Sequence, residues 1–511
     1  MNTRVAATKT DGFEAGTRWL HLASAGEPVR EALVLAAGLG SRLGGDAPKP
    51  LRRVLGLPLL ARTLLTLERA GITDAWVVLG YRGDEIRREI EALRNFDIRI
   101  HWLRNEEWER PNGLSVLAAA DVLERPFVLA MSDHVFSPDA VERLLENAHG
   151  VGGIALLADH DIAGVADVAE ATKVRLDGDR IVEIGKSLDT FDAIDTGLFL
   201  ATPELFDALR ASVAEGRETL SDGVTRLAAR GRARVVDSEG AMWEDVDTPA
   251  DAERVERRLL DGLRKPQDGP VARWINRPIS TRISRRLVDW PVTPNQISVG
   301  TLGIALVAAV LAAIGGYIPW LLGGFLFQAA SMLDGVDGEL AGLLFKGSRR
   351  GEWVDTICDN LSYLAFLVGL TVGVVRAGLP EWFLAGGIAS VTAAFLGMAS
   401  LNLYMLRTRR SGSARSVRYS YQEESSGPPS LRVRVLRFLH YFGKRDLFSL
   451  LLFLMAVAGV LPWALPIFGV AATLLFVPVT ARTLLGTFRR APRAHRAGAA
   501  AAARLEVVDA S

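Results

Sequence analysis

The sequence predicts two unlike parts: an α/β domain, doubly wound and Rossmann-like, then an all-α transmembrane domain of six helices. Up to about residue 263 no apolar stretch is long enough to cross a bilayer, and short apolar runs at 32–37, 75–79 and 127–130 alternate with helical stretches. Beyond that point the pattern changes. Apolar segments at roughly 296–315, 317–340, 352–375, 382–406, 446–462 and 464–486 each approach the about 20 residues a helix needs to span hydrocarbon. Arg264-Lys265-Pro266-Gln267-Asp268-Gly269-Pro270, of linker composition, separates the two.

Taken in order, residues 1–28 read as a loose polar leader, because Arg4 and Lys9 are not followed by the apolar core of a signal peptide. The α/β domain occupies 29–263, the linker 264–270, the membrane domain 271–490, and an Ala/Arg-rich disordered tail 491–511. Within the membrane domain, 271–290 is basic and carries Trp274, Ile275, Ile283, Leu287 and Trp290, which suits an amphipathic helix on the bilayer surface. Arg and Lys crowd before the first span and after the second, fourth and sixth. The loops 315–319 and 461–466 carry none. That asymmetry predicts a multi-pass protein of the cell (inner) membrane with both termini in the cytoplasm.

The 511 residues are 49% hydrophobic and carry a formal net charge of zero, so no basic bulk invites nucleic acid. The single cysteine, Cys358, excludes an intramolecular disulfide.

Chemistry is written first at Leu33-Val34-Leu35-Ala36-Ala37-Gly38-Leu39-Gly40-Ser41-Arg42-Leu43, followed by Pro48-Lys49-Pro50. A buried strand opens there into a glycine-rich turn. Backbone N–H groups of Ala37, Gly38, Leu39 and Gly40 can approach triphosphate oxygens, with Arg42 and Lys49 adding positive charge. Glycines at 38, 40 and 44 do not have the dinucleotide spacing, which disfavours hydride chemistry. His134 has no second histidine at ligand spacing and reads as a structural neighbour of Asp133.

The second chemical signal is Asp334-Gly335-Val336-Asp337-Gly338-Glu339-Leu340-Ala341, then Gly351, Asp355 and Asp359. Ionisable groups at membrane depth cost several kcal/mol unless paired, so acids there are functional candidates. Spacings of three and four put Asp334 with Asp337 on one helix face and Asp355 with Asp359 on one face of the next. Two facing helices could then offer four carboxylates to hard cations such as Mg²⁺.

This stretch resembles the signature of the CDP-alcohol phosphotransferase family at every fixed position but one, since Gly342 stands in the place of an arginine. The resemblance implies metal binding by Asp334, Asp337, Asp355 and Asp359, with Asp359 also the base that activates the acceptor hydroxyl. It also implies a cytidine site at Gly338, Ala341 and Gly351. Lys346, Arg349 or Arg350 could supply the missing cation. Residues 31–260 resemble the nucleotidyltransferases that build NDP-sugars and CDP-alcohols. That resemblance gives Asp133 and Asp247 as metal ligands, with Asp245 a competitor for the second place. It makes Lys49 and Arg42 catalytic cations, Asn112 a nucleotide-binding residue, and Lys173, Lys186 and Asp195 substrate-binding residues.

The fused order resembles the family of bifunctional CTP:inositol-1-phosphate cytidylyltransferases and di-myo-inositol-phosphate-phosphate synthases. Shared features include Asp245-Val246-Asp247-Thr248-Pro249, Thr293-Pro294-Asn295 and Lys444-Arg445-Asp446. The resemblance implies CTP, inositol 1-phosphate and CDP-inositol as ligands, and Mg²⁺ as cofactor with Mn²⁺ as an alternative. Lys444 and Arg445 would bind the acceptor phosphate, both active sites would face the cytoplasm, and a homodimer would form through the membrane domain. A phospholipid synthase using CDP-diacylglycerol would employ the same membrane domain. A non-enzymatic transporter with a nucleotide-sensing domain would explain the spans and leave the spaced carboxylates without a role.

Overall fold

The computed structural model describes residues 28–40, 47–93, 96–148, 152–264, 268–407, 445–471 and 473. The chain divides into two compact units, Met1–Gly262 and Leu263–Ser511.

The strands of the first unit are β1 (Glu31–Ala36), β2 (Arg53–Val54), β3 (Leu57–Pro58), β4 (Asp74–Leu79), β5 (Arg99–Arg104), β6 (Phe127–Met131), β7 (His134–Phe136), β8 (Ile154–Asp159), β9 (Lys173–Asp177), β10 (Arg180–Gly185), β11 (Ala193–Ala201), β12 (Ala233–Asp237) and β13 (Trp243–Asp245). Nine of them form one sheet in the order β5-β4-β1-β6-β11-β8-β12-β10-β9. The apolar run after Glu31 behaves as a strand covered on both faces. Ala32, Val34 and Ala36 pack with the helices Leu59–Arg69, Gly83–Leu93 and Pro138–Asn147. Leu33, Leu35 and Ala37 pack with Glu204–Val213 and Leu220–Ala228 on the other side. Each fully buried Leu or Val there contributes roughly 1.5–3 kcal/mol, which drives the layering.

β1 runs parallel to β4 and β6, with Leu35 level with both Val78 and Met131. The chain therefore leaves these strands side by side at their carboxyl ends, where open α/β sheets bind ligands. A separate two-stranded ladder, β13 with β7, pairs Asp245 with His134 and Trp243 with Phe136.

The second unit is helical. A π-helical turn at Ala272–Asn276 leads into the helix Arg277–Leu287, and the helices Pro294–Ile314, Tyr317–Leu343, Arg349–Arg376, Glu381–Arg407 and Arg445–Val457 come after it. Three helices among the described residues are long and apolar enough to cross a membrane: Pro294–Ile314, Arg349–Arg376 and Glu381–Leu403. Tyr317–Leu343, also long, carries two of the signature acids, Asp334 and Asp337, and Arg349–Arg376 carries the other two. The sixth predicted segment, 464–486, lies mostly outside the described residues. Thr293-Pro294-Asn295 opens its helix for a local reason: Thr293 and Gln296 form a capping box and Pro294 takes the first turn. Small residues then bring helices together. A Cβ on Gly369 or Gly373 would collide with the carbonyls of Ala309 and Ala312 across the contact. Cys358 is buried and unpaired with sulfur, as expected.

Candidate active sites

The site of the first unit gathers where β1, β6 and the β7–β13 ladder meet. Antiparallel pairing of β13 with β7, together with the Val246 N–H donating to the Asp133 carbonyl at 3.1 Å, carries Asp245 and Asp247 to Asp133 across more than a hundred residues of chain. Asp247 is held by the start of the helix Pro249–Gly262. Thr248 and Asp251 exchange side-chain and backbone hydrogen bonds there, and the Asp247 N–H also donates to Asp251.

Lys49 stands among these acids. Its Nζ donates to Asp133 at 2.7 Å and to Asp247, and lies 3.6 Å from Asp245. Burial alone would lower the Lys49 pKa, but the charges of Asp133 and Asp245 and the bonds to Asp133 and Asp247 raise it, so the ammonium is fixed. Asp133 is the mirror case. Burial opposes its ionisation, yet the His134 hydrogen bond and the Lys49 charge hold it well below the usual carboxylate range. Asp245 has its pKa raised, by burial first. His134 Nδ1 lies 2.9 Å from Asp133 and 3.7 Å from Asp245. Burial works against its protonation, but Asp245 and Asp133 push it up to about 9. The ring stacks on Phe136 and Trp243, and one ligand atom from each of Asp133, His134 and Asp245 lies within 4.8 Å of the others.

In the turn after β1, Ala37 is buried, Leu39 is exposed, and Gly40 has φ +59°. Arg42 lies outside the described residues. Asn112 uses its Oδ1 to accept from the Leu220 N–H at 2.9 Å, which ties it to a helix start. Lys173 and Lys186 share the β9–β10 hairpin: Lys173 Nζ donates to the Lys186 carbonyl at 2.8 Å, and Lys186 is 4.0 Å from Glu170. Asp195 accepts from the Gly197 N–H at 2.7 Å, and burial pushes it up to about 6 against the His134 charge.

In the membrane unit the signature brings three acids together. One oxygen from each of Asp334, Asp337 and Asp355 lies within 4.8 Å of the others. Asp337 is buried and accepts from Ser298 of the helix Pro294–Ile314. Three like charges at that separation fit a divalent cation with oxygen ligands. Asp359 stands beside them, paired with Arg445, which also pairs with Asp334 and lies 5.9 Å from the Tyr363 ring. Arg445, expected on the acceptor phosphate, therefore rests on two of the expected metal ligands. Lys444 lies outside the described residues. Gly338 and Gly342 have open space or ordinary contacts around a notional Cβ, the nearest neighbour of Gly342 being Leu263 at 3.5 Å. Gly351 is tighter, at 3.2 Å from both Asn295 and the Ser348 hydroxyl that caps its helix. Ala341 is partly buried.

Sequence reading does not single out Glu339, although a third carboxylate in an apolar helix, at a place the signature leaves open, is a signal in itself. It is 1% exposed and accepts from Arg277, Ser280 and Ser284.

Such a fold, with one acid cluster in each unit, defines a two-part transferase whose second part is a membrane domain. Residues 32–221 match the MobA-like NTP transferase domain, and residues 291–477 match the CDP-alcohol phosphatidyltransferase family. A bifunctional IPC transferase and DIPP synthase from Rubrobacter xylanophilus is 40% identical over 397 residues, covering 76% of this chain and 88% of the relative. A protein of the same description from Thermococcus kodakarensis is 37% identical over 345 residues, 67% of this chain and 76% of its own. The solved inositol-1-phosphate CTP transferase from T. maritima aligns at 28% identity and TM-score 0.41 over 45% of this chain and 95% of its own. The chain belongs to the bifunctional IPC transferase and DIPP synthase family.

Proposed function

We propose that the first unit makes CDP-inositol from CTP and inositol 1-phosphate, and that the membrane unit transfers its inositol phosphate group to a second inositol 1-phosphate. In the first reaction a phosphate oxygen of inositol 1-phosphate attacks the α-phosphorus of CTP, the bond to the bridging oxygen breaks, and pyrophosphate leaves. In the second, a hydroxyl of the acceptor attacks the phosphorus that carries inositol, CMP leaves, and the hydroxyl proton passes to Asp359. The product is a di-inositol phosphodiester that keeps the acceptor's phosphate. Such a compound suits a compatible solute.

A divalent cation, Mg²⁺ or Mn²⁺, held by Asp133 and Asp247 in one unit and by Asp334, Asp337, Asp355 and Asp359 in the other, supplies charge neutralisation at the phosphates. The rest falls to the chain. Lys49, Arg42 and the turn at 37–40 cradle the triphosphate, and Asn112 contacts the base. Lys173, Lys186 and Asp195 position the first inositol phosphate. Gly338, Ala341 and Gly351 leave room for cytidine, while Lys444 and Arg445 receive the acceptor phosphate. We place the domain boundaries at 29–263 and 271–490, both active sites and both termini in the cytoplasm, and a dimer contact in the membrane unit.

The observation that carries this reading is the presence, in one chain of this family, of an acid cluster beside a glycine-rich turn and a second at a complete set of signature carboxylates. Purified protein with CTP, Mg²⁺ and a panel of alcohol phosphates tests it. Pyrophosphate and then CMP should appear with inositol 1-phosphate; nucleotide turnover with none of the panel would overturn the reading.

A further inference from the structure

Glu339 is almost wholly buried in the helix Tyr317–Leu343, yet none of its described partners belongs to the acid cluster. Its Oε1 accepts from Arg277 Nη1 at 2.7 Å and Ser280 Oγ at 2.6 Å, and its Oε2 from Ser284 Oγ at 2.6 Å. Those donors, Arg277, Ser280 and Ser284, lie along two turns on one face of a single helix. Arg277 is itself held by Asp268 at 2.9 Å. The two helices are drawn close where Gly335 meets Ser280: a Cβ on residue 335 would stand 3.4 Å from the Ser280 hydroxyl.

On a helix, two residues of separation is a rotation of about 200° and five is about 140° after a full turn, so Asp337 and Asp334 point away from Glu339. The structure agrees, since Asp337 touches Ser298 of the helix Pro294–Ile314 while Glu339 touches Arg277–Leu287. A buried ion pair is a poor way to gain stability, because apolar residues would hold two helices equally well. Directed bonds do something apolar contact does not: they set one rotation of the helix about its own axis.

We propose that Glu339 is a positioning residue that locks the helix Tyr317–Leu343 to the helix Arg277–Leu287 and so aims Asp334 and Asp337 at their cation. This rests on the reading of Asp334, Asp337 and Asp355 as cation ligands.

The test is Mn²⁺ binding, followed by electron paramagnetic resonance, to the full chain in detergent with Asp133→Asn, Asp245→Asn and Asp247→Asn present, so that the membrane site alone reports. Glu339→Ala should weaken Mn²⁺ about tenfold, the scale for residues that orient metal ligands, and Glu339→Gln should recover part of the loss by still accepting from the two serines. In the chain with its first site intact, Glu339→Ala should lower kcat for CMP release from CDP-inositol more than it raises KM. Wild-type Mn²⁺ affinity in folded Glu339→Ala would overturn the proposal. Should that variant not accumulate, Ser280→Ala with Ser284→Ala keeps the carboxylate and its arginine; several-fold weaker Mn²⁺ supports the lock and unchanged affinity rejects it. Asp337→Asn separates the two ideas. Retained Mn²⁺ binding there overturns the cation site and the lock together, whereas lost binding there with normal binding in Glu339→Ala rejects the lock alone.

Discussion

The Lys49 side chain packs directly against the backbone of Gly40, so that a Cβ at residue 40 would collide with the Lys49 Cβ. Gly40 also has φ +59°, a conformation that side chains disfavour. The glycine of the turn thus makes room for a lysine as well as for the phosphate proposed to bind there. Gly40→Ala should displace Lys49 from Asp133 and Asp247 and cut pyrophosphate release at least about tenfold, roughly 1.4 kcal/mol. CMP release from supplied CDP-inositol should not change. A variant with wild-type pyrophosphate release would show that the contact yields without cost.

Asp195 gives a prediction in pH. Its carboxyl is pushed up to about 6, by burial before all else, so ionising it opposes the fold. For a raised carboxyl the stability is present below the unfolded value of about 4 and is lost as pH rises through about 6. Asp195→Asn keeps the acceptor for the Gly197 N–H and removes the charge. In a fragment of residues 1–263, denaturant unfolding should show the variant more stable than wild type at pH 8, by on the order of 2 kcal/mol, and no different at pH 4. Equal stability at both values would mean that the carboxyl ionises without penalty.

These two cases show what is legible in a sequence and what is not. The strand β1 follows from the apolar run at 32–37, and the grouping of the carboxylates at 334, 337, 355 and 359 from their spacing within two helices. The meeting of Asp133 with Asp245 and Asp247, which only the family resemblance anticipates, does not. It depends on a ladder of three-residue strands, too short to announce themselves, between segments more than a hundred residues apart. Lys49 reads from sequence as a cation for phosphate, and its bridging of two acids is visible only once that ladder forms. Glu339 is hidden differently: its partners lie on the basic segment before the first span, where membrane topology already accounts for the charge.

Gly342 marks a departure from the family signature, and the structure makes its reversal feasible. A Cβ there would meet only Leu263, at the ordinary contact distance of 3.5 Å. Gly342 also lies one turn beyond Gly338 and two beyond Asp334, on the same side of the helix. Gly342→Arg should therefore fold and bring a guanidinium to the nucleotide phosphates, lowering KM for CDP-inositol several-fold with kcat little changed. An unchanged KM would mean that a loop cation such as Lys346 or Arg349 already makes the contact.

The acceptor decides between a soluble product and a lipid. Arg445 pairs with Asp334 and Asp359 and lies against Tyr363, so its guanidinium stands beside the acid cluster, where the proposed acceptor phosphate would meet it. If that phosphate is bound there, it is not the group that reacts, and the product must retain it. Phosphorus NMR of material made from CTP and inositol 1-phosphate alone should show one diester and one monoester resonance in the aqueous phase. A chloroform-soluble product that forms only when CDP-diacylglycerol is added would identify a phospholipid synthase instead. Arg445→Ala should then weaken acceptor binding by on the order of 1–3 kcal/mol, the scale of a charge-assisted hydrogen bond, while KM for CDP-inositol moves little. The reverse pattern, a weakened nucleotide substrate and an unaffected acceptor, would transfer Arg445 from the acceptor phosphate to the nucleotide.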